Sequence, residues 1–264
     1  MIERPLSVCL NYSKTLSYKE KARLIAEAGF DSVFLFRYRN KPDGDLKVQA
    51  EAARAEGLGI ETVHADFKEI NSIWIEGEKG EELTAFFEKC IRETAELKIP
   101  VMVIHLSSGN FPPAFNELGL GRYRKLCALA EELGVCLAFE NLRKTSYLDF
   151  ILERISSPNA KFCFDCGHEN LYNGGAGVLE KHADRLVCLH LHDNFGDKDR
   201  HLLPFDGTID WEKTAKRLSD SGFKCPITLE VHSDDYVDDD FISKAYGRGT
   251  KIREFVERYD REKD

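Results

Sequence analysis

The sequence predicts an α/β fold: a closed (β/α)8 barrel built as a single domain over residues 1–264. Three observations carry this reading. Eight short apolar, β-branched runs alternate with longer amphipathic stretches, with no linker or low-complexity break between them. Runs such as VMVIHL are apolar throughout, as strands buried on both faces of a parallel sheet must be. The chain averages 33 residues per unit, enough for one strand, one helix and their loops, and barrels of this class run to about 250 residues as one domain. A doubly wound open sheet is the alternative. Eight units without a glycine-rich phosphate fingerprint favour the barrel.

In order, the candidate strands are Leu6–Asn11, Ser32–Arg37, Ile60–His64, Val101–Leu106, Val135–Glu140, Ala160–Asp165, Leu186–His192 and Ile227–Val231. Between them, apolar residues recur at three and four positions over Tyr18–Ala28, Glu81–Leu97, Tyr123–Leu133 and Trp211–Ser221, and a last helix over Phe241–Tyr259 closes the ring. YDREKD at the end reads as a frayed polar terminus. The joins EAGFDSVFL and DSGFKCPITLE resemble each other, each with a glycine placed to cap a helix before the next strand.

A hydrophobic fraction of 42% with 31% charged residues suits a soluble protein able to bury a full core. The start, MIERPLSVCLNYS, lacks the form of a signal peptide, and no apolar run reaches the ~18 residues of a membrane span, so a cytoplasmic protein is expected. Most of the eight cysteines sit in apolar runs, such as Val8-Cys9-Leu10 and Val187-Cys188-Leu189, as buried thiols in a reducing compartment would. Cys163 and Cys166 have C-x-x-C spacing but neither a second pair for zinc nor a thioredoxin-like context. A net charge of −9 weighs against a nucleic-acid partner, which needs a basic surface to release counterions.

The chemistry collects at the strand ends. His64, His105, Glu140, Asp165, His190 and Glu230 close strands three to eight, at intervals of 41, 35, 25, 25 and 40 residues. In a parallel barrel every strand C-terminus faces one mouth, so the six side chains converge there. A single histidine or carboxylate at a strand end is ordinarily hydrogen-bonded or ion-paired. Six in succession are costly to bury unless they share cations or hydrogen bonds. His168 follows Asp165 in D-x-x-H spacing, and Asp199 and His201 form a D-x-H pair on the loop after strand seven. Nine candidate ligands, mixing imidazole and carboxylate, suit Zn2+, Mn2+ or Fe2+ better than Ca2+ or Mg2+, and their number leaves room for one to three ions. His192 shares the strand-seven face with His190, and Asn11, Arg37 and Trp211 are expected at the mouth as substrate contacts. Lys198, Arg200 and His201 make the strand-seven loop basic enough for a phosphate. His182 and His232 read as structural.

These segments, VHAD, VIHLSSG, LAFENL, FDCGHEN, LHLHDN, DRHLLPFDGTIDW and ITLEV, resemble the xylose isomerase-like TIM-barrel superfamily, and within it the sugar phosphate isomerase/epimerase group. Endonuclease IV-type apurinic endonucleases belong to the same superfamily. The match runs from strand three to strand eight; strands one and two carry little of it. The resemblance implies a four-ligand metal site on Glu140, Asp165, His190 and Glu230. The nuclease branch adds His64, His105, His168, Asp199 and His201. One departure stands in the loop after strand seven, where members often have P-G-x-G and this chain has Pro204-Phe205-Asp206-Gly207.

The resemblance implies a metal-dependent isomerase or epimerase of a small carbohydrate, with Glu140 and Glu230 moving a proton and Zn2+ or Mn2+ stabilising the enediolate. A zinc-dependent phosphodiesterase acting on abasic DNA is the second reading. It uses all nine ligands more directly, but the net charge and the few basic residues near loops one to three weigh against it. A metal-stabilised sugar-binding barrel without catalysis is the third. A homo-oligomer is compatible with all three.

Overall fold

Local signals set where the elements start and stop. Ser17 opens the first helix with a capping box, its hydroxyl and the Glu20 carboxylate each taking the other's backbone N–H. Gly29 at φ 103 and Gly222 at φ 67 end two helices in the left-handed conformation that glycine adopts without steric cost, as the paired EAGF and DSGF joins predict. The computed structural model describes residues 4–174, 177–236 and 240–263. Within them run β1 (Leu6–Cys9), α1 (Tyr18–Ala28), β2 (Ser32–Arg37), α2 (Asp45–Ala55), β3 (Gly59–Ala65), α3 (Glu78–Glu96), β4 (Val101–Ile104) and α4 (Glu117–Glu132). The second half comprises β5 (Cys136–Glu140), α5 (Thr145–Arg154), β6 (Ala160–Asp165), α6 (Val178–Lys181), β7 (Leu186–His190), α7 (Trp211–Ser221), β8 (Ile227–Leu229) and α8 (Phe241–Arg261).

All seven strand pairs are parallel, in the order β7-β6-β5-β4-β3-β2-β1-β8. The ring closes between β7 and β8 through Leu191, whose N–H donates to Thr228 O at 2.9 Å and whose carbonyl accepts from Glu230 N at 3.0 Å. The barrel is therefore complete, with its thinnest seam beside Glu230. Outward-facing strand residues such as Val8, Leu35, Val63, Met102 and Phe139 are fully buried under the helices.

The inside of the barrel is divided. Val101, Val103, Ala138, Cys163 and Cys188 form a small apolar cluster on one side. Opposite them, Ser32, Ser7 and Thr228 stand side by side on β2, β1 and β8. A register shift in β3 inserts Glu61 there, and the Thr228 hydroxyl donates to its carboxylate. Burial pushes the Glu61 carboxyl up to about 7, with Thr228 and Ser7 opposing the shift.

Several ends differ from the sequence reading. Strands β1, β4, β7 and β8 stop two residues early, so Asn11, His105, His192 and Glu230 lie just past the ladder. There the backbone turns to other partners: the His105 carbonyl accepts the Tyr123 hydroxyl at 3.1 Å. Helix α4 starts at Glu117 because Asn116 caps it, a start that Gly119 and Gly121 hide in the periodicity. The last helix runs through the first half of the YDREKD stretch to Arg261, and Asp264 lies outside the described residues. All eight cysteines are free thiols.

Candidate metal centre

The ends of β3, β5, β6 and β7, and the residues just past β4 and β8, deliver inward side chains to one point at the mouth. Glu140, on β5 and 1% exposed, is the centre. His64 Nε2 lies 3.1 Å and His105 Nε2 3.2 Å from its Oε2, while His168 Nδ1 lies 3.0 Å from Oε1. His190 Nδ1 stands between the two acids, 3.4 Å from Glu140 and 3.3 Å from Glu230. Glu140, Asp165, His190 and Glu230 each offer a ligand atom within 4.8 Å of the others. His64, Glu140 and His190 form a second such set, and His192, His201 and Glu230 a third.

The remaining ligands of the sequence reading arrive on two tight segments. Asp165 caps the short turn that follows β6, accepting from His168 N at 2.6 Å, and so fixes the D-x-x-H pair. Gly167 is required inside this turn, because a Cβ there would run into the His192 ring. The loop after β7 is pinned by Asp193, whose carboxylate accepts from Asn194 N, Phe205 N, Ile209 N and Trp211 Nε1 at 2.7–3.1 Å. The loop thereby returns Asp199 to His168 at 3.3 Å and to His201 at 3.4 Å. Phe205, where glycine is usual in the resemblance, is held at φ 73 with its ring under Lys251.

Charge in this cluster is tightly arranged. Burial alone would raise the Glu140 carboxyl, but His105 and His190 outweigh it and hold it well below the carboxylate range. Burial opposes a charge on His190, yet Glu230 and Glu140 lift it to about 10. Burial likewise opposes His201, which Asp199 and Glu230 lift to about 9. Half-buried His232, stacked on His201 at 4.5 Å, is pushed down to about 4 by burial and by its charged neighbour. Imidazolium protons thus balance the acids where a divalent cation would otherwise do so. The donor set fits such a cation: among the described residues no hydrogen bond satisfies either ring nitrogen of wholly buried His190, whose Nδ1 meets only two carboxylates, and nitrogen and carboxylate oxygen together suit Zn2+ or Mn2+.

A cavity of ≈ 220 Å³ opens over the centre, lined by Glu140, Glu230, His64, His105, His168, Asp199 and His201, with Asn11 on its wall. Three expected substrate contacts are not on that wall. Arg37 points outward, where its Nε donates to Glu93 on α3 at 2.7 Å; an outward strand position serves packing, not the mouth. Trp211 is buried and donates to Asp193. His192 lies behind Asp165, 3.2 Å from its Oδ2, and stacks on His201 at 4.1 Å. Conversely, Phe36, Tyr38, Phe67 and His232 line the cavity and were not singled out as contacts. The two-residue period pointing Phe36 inward beside His64 was the available signal, and their rings stack at 4.7 Å.

Residues 22–257 match the model of a family described as Xylose isomerase-like TIM barrel. The chain is 36% identical over 134 residues to a Sinorhizobium fredii protein described as "Uncharacterized protein y4fM", covering 47% of this chain and 43% of that one. The chain thus spans less than half the length of that relative. In three dimensions it is similar to a D-tagatose 3-epimerase-like protein, with a TM-score of 0.79 at 21% identity over 98% of this chain and 100% of that one. It is also similar to D-psicose 3-epimerase from Clostridium cellulolyticum H10 determined with D-tagatose, with a TM-score of 0.78 at 16% identity over 96% of this chain and 99% of that one. At these identities the likeness is one of fold.

Proposed function

Because the chain belongs to the xylose isomerase-like TIM barrel family, we propose that it is a metal-dependent isomerase or epimerase acting on a small carbohydrate. The observation that carries this reading is the set of Glu140, Asp165, His190 and Glu230, with ligand atoms within 4.8 Å of one another beneath a cavity sized for a small molecule. These four residues would hold the ion, with Zn2+ and Mn2+ the metals their chemistry suits. When bound, a divalent cation supplies Lewis-acid stabilisation to negative charge building on two adjacent substrate oxygens.

The chain's own residues do the rest. Glu140 and Glu230 lie 3.4 and 3.3 Å from the same His190 nitrogen and both line the cavity, so a carbon held there is within reach of both carboxylates. One removes the proton and the other returns it, inverting the carbon or moving the carbonyl. His64 and His105 hold Glu140 in place, and His105 and His190 keep it ionised. Phe36 and Phe67 give the cavity an apolar side that keeps bulk water from the reacting carbon.

Solvent deuterium tests the reading. Metal-loaded protein is expected to exchange a carbon-bound proton of an active ketose, and Glu230→Gln to lose that exchange by about 10²–10⁴-fold while retaining metal. Absence of exchange across a panel of ketoses and their derivatives would overturn it. The His192, His201 and Glu230 set favours a second reading, a multi-ion phosphodiesterase. Nicking of an abasic duplex by protein loaded with Zn2+ or Mn2+ is its test.

A further inference from the structure

Beside the metal centre, and sharing Asn11 and Tyr38 with it, lies a second cavity of ≈ 430 Å³ with a cationic wall of Lys14, Lys21 and Lys41. Lys21 is the informative residue. It stands on α1, is 4% exposed, and no carboxylate among the described residues lies within ion-pairing distance of its ammonium. Its Nζ donates to Ser13 O at 3.1 Å and reaches Asn11 Oδ1 at 3.4 Å, with the Tyr18 ring 4.8 Å away. An ammonium whose hydrogen bonds go only to neutral acceptors, with the Asp45 charge bearing on it from beyond ion-pairing distance, gains from an anion that arrives to share its charge. Lys41 is near enough for its charge to bear on Lys21, so two cations face the same space. Lys14 is committed to Asp234 at the rim, and Asp45 on this wall is engaged by the Tyr18 hydroxyl and the Gln49 amide.

Asn11 joins the two cavities. It lines the metal centre while its oxygen faces Lys21 and its amide donates to Gln49 at 3.1 Å. The metal cavity itself has no arginine or lysine on its wall among the described residues. The basic loop after β7 is no rival, because Arg200 forms a two-point ion pair with Asp197.

We propose that this lysine-lined annex receives an anionic group, phosphate or carboxylate, carried by the substrate on the carbons remote from the two glutamates. The substrate class is then a sugar phosphate or a sugar acid, with the neutral polyol end at the metal centre. This rests on the isomerase reading and adds the substrate's charge to it.

The test compares a free ketose, its terminal phosphate and the matching uronate as substrates for deuterium exchange, using metal-loaded parent, Lys21→Met and Lys41→Gln. The expected result is a kcat/KM preference of about 10- to 100-fold for one anionic form, the size of a charge-assisted hydrogen bond. Whichever anion wins identifies the group. Lys21→Met is expected to raise KM for that anion about 10-fold and to compress the preference; Lys41→Gln, at an exposed position, does so without risk to the core. Calorimetric titration of inorganic phosphate and acetate into the same proteins reads the annex without turnover. If no sugar exchanges but anion binding depends on Lys21 and Lys41, the isomerase reading fails and the annex stands. Equal handling of neutral and anionic sugars, or anion binding unaffected by both variants, overturns the annex.

Discussion

His190 shows at single-residue resolution why the centre calls for an ion. Both its ring nitrogens are buried; Nε2 has no hydrogen-bond partner among the described residues, which costs about 1–3 kcal/mol, and Nδ1 meets only the Glu140 and Glu230 carboxylates at 3.4 and 3.3 Å. Coordination through one nitrogen removes part of that cost, so His190→Ala is expected to lose metal that the parent keeps through dialysis, as elemental analysis reads directly. Glu61 makes a separate prediction, in pH. Its folded pKa of about 7 lies above the ordinary carboxylate value, so the folded protein binds this proton more tightly than the unfolded chain. Its contribution is therefore fully present below about pH 4.5 and lost as pH rises through 7. Glu61→Gln should match the parent near pH 5 and exceed it by about 2 kcal/mol at pH 8. Parallel stability curves for the two proteins would refute this. Of these residues, His190 was legible in the sequence because strand ends in a parallel barrel share one destination. Glu61 was not, since only the register shift in β3 turns it inward; Arg37 misled because its place at a strand end was read without the two-residue period, which points Phe36 inward and Arg37 outward toward Glu93.

At the scale of elements, the turn after β6 is where sequence and geometry are most tightly bound. Gly167→Ala would push a methyl group into the His192 ring and displace it from Asp165, and is expected to cost about 2–3 kcal/mol in thermal unfolding and to lower metal content. The same turn is braced from α7, where Arg217 grips buried Glu169 with two bonds of 2.6 and 2.9 Å and Glu180 as well. Arg217→Met leaves the Glu169 carboxylate buried and unpaired, so a loss of about 3 kcal/mol is expected in urea unfolding, with part recovered by adding Glu169→Gln. Elements with strong end signals, such as α1 between Ser17 and Gly29, were readable to the residue. Those whose ends depend on distant partners, such as β4 leaving the ladder toward Tyr123, were not.

Across the whole molecule, the barrel is continuous through seven paired seams and closes at the eighth through the two hydrogen bonds of Leu191. Local opening follows the fewest bonds, so the amides of Leu191 and Glu230 should exchange with solvent faster than those of β3 to β6. Loading with Zn2+ or Mn2+ should slow them, because His190 and Glu230 flank that seam; unchanged exchange on loading would place the ion elsewhere. The loop after β7 reaches back over the same side of the mouth, and Asp193 alone ties down three of its backbone donors and the Trp211 indole at the start of α7. Its ordering therefore belongs to folding itself, and Asp199 and His201 stand in position before anything enters. An incoming ion meets a rigid socket, with no flapping arm to immobilise. Weakening that clasp would erode affinity through slack in the arm, with every coordinating atom still present.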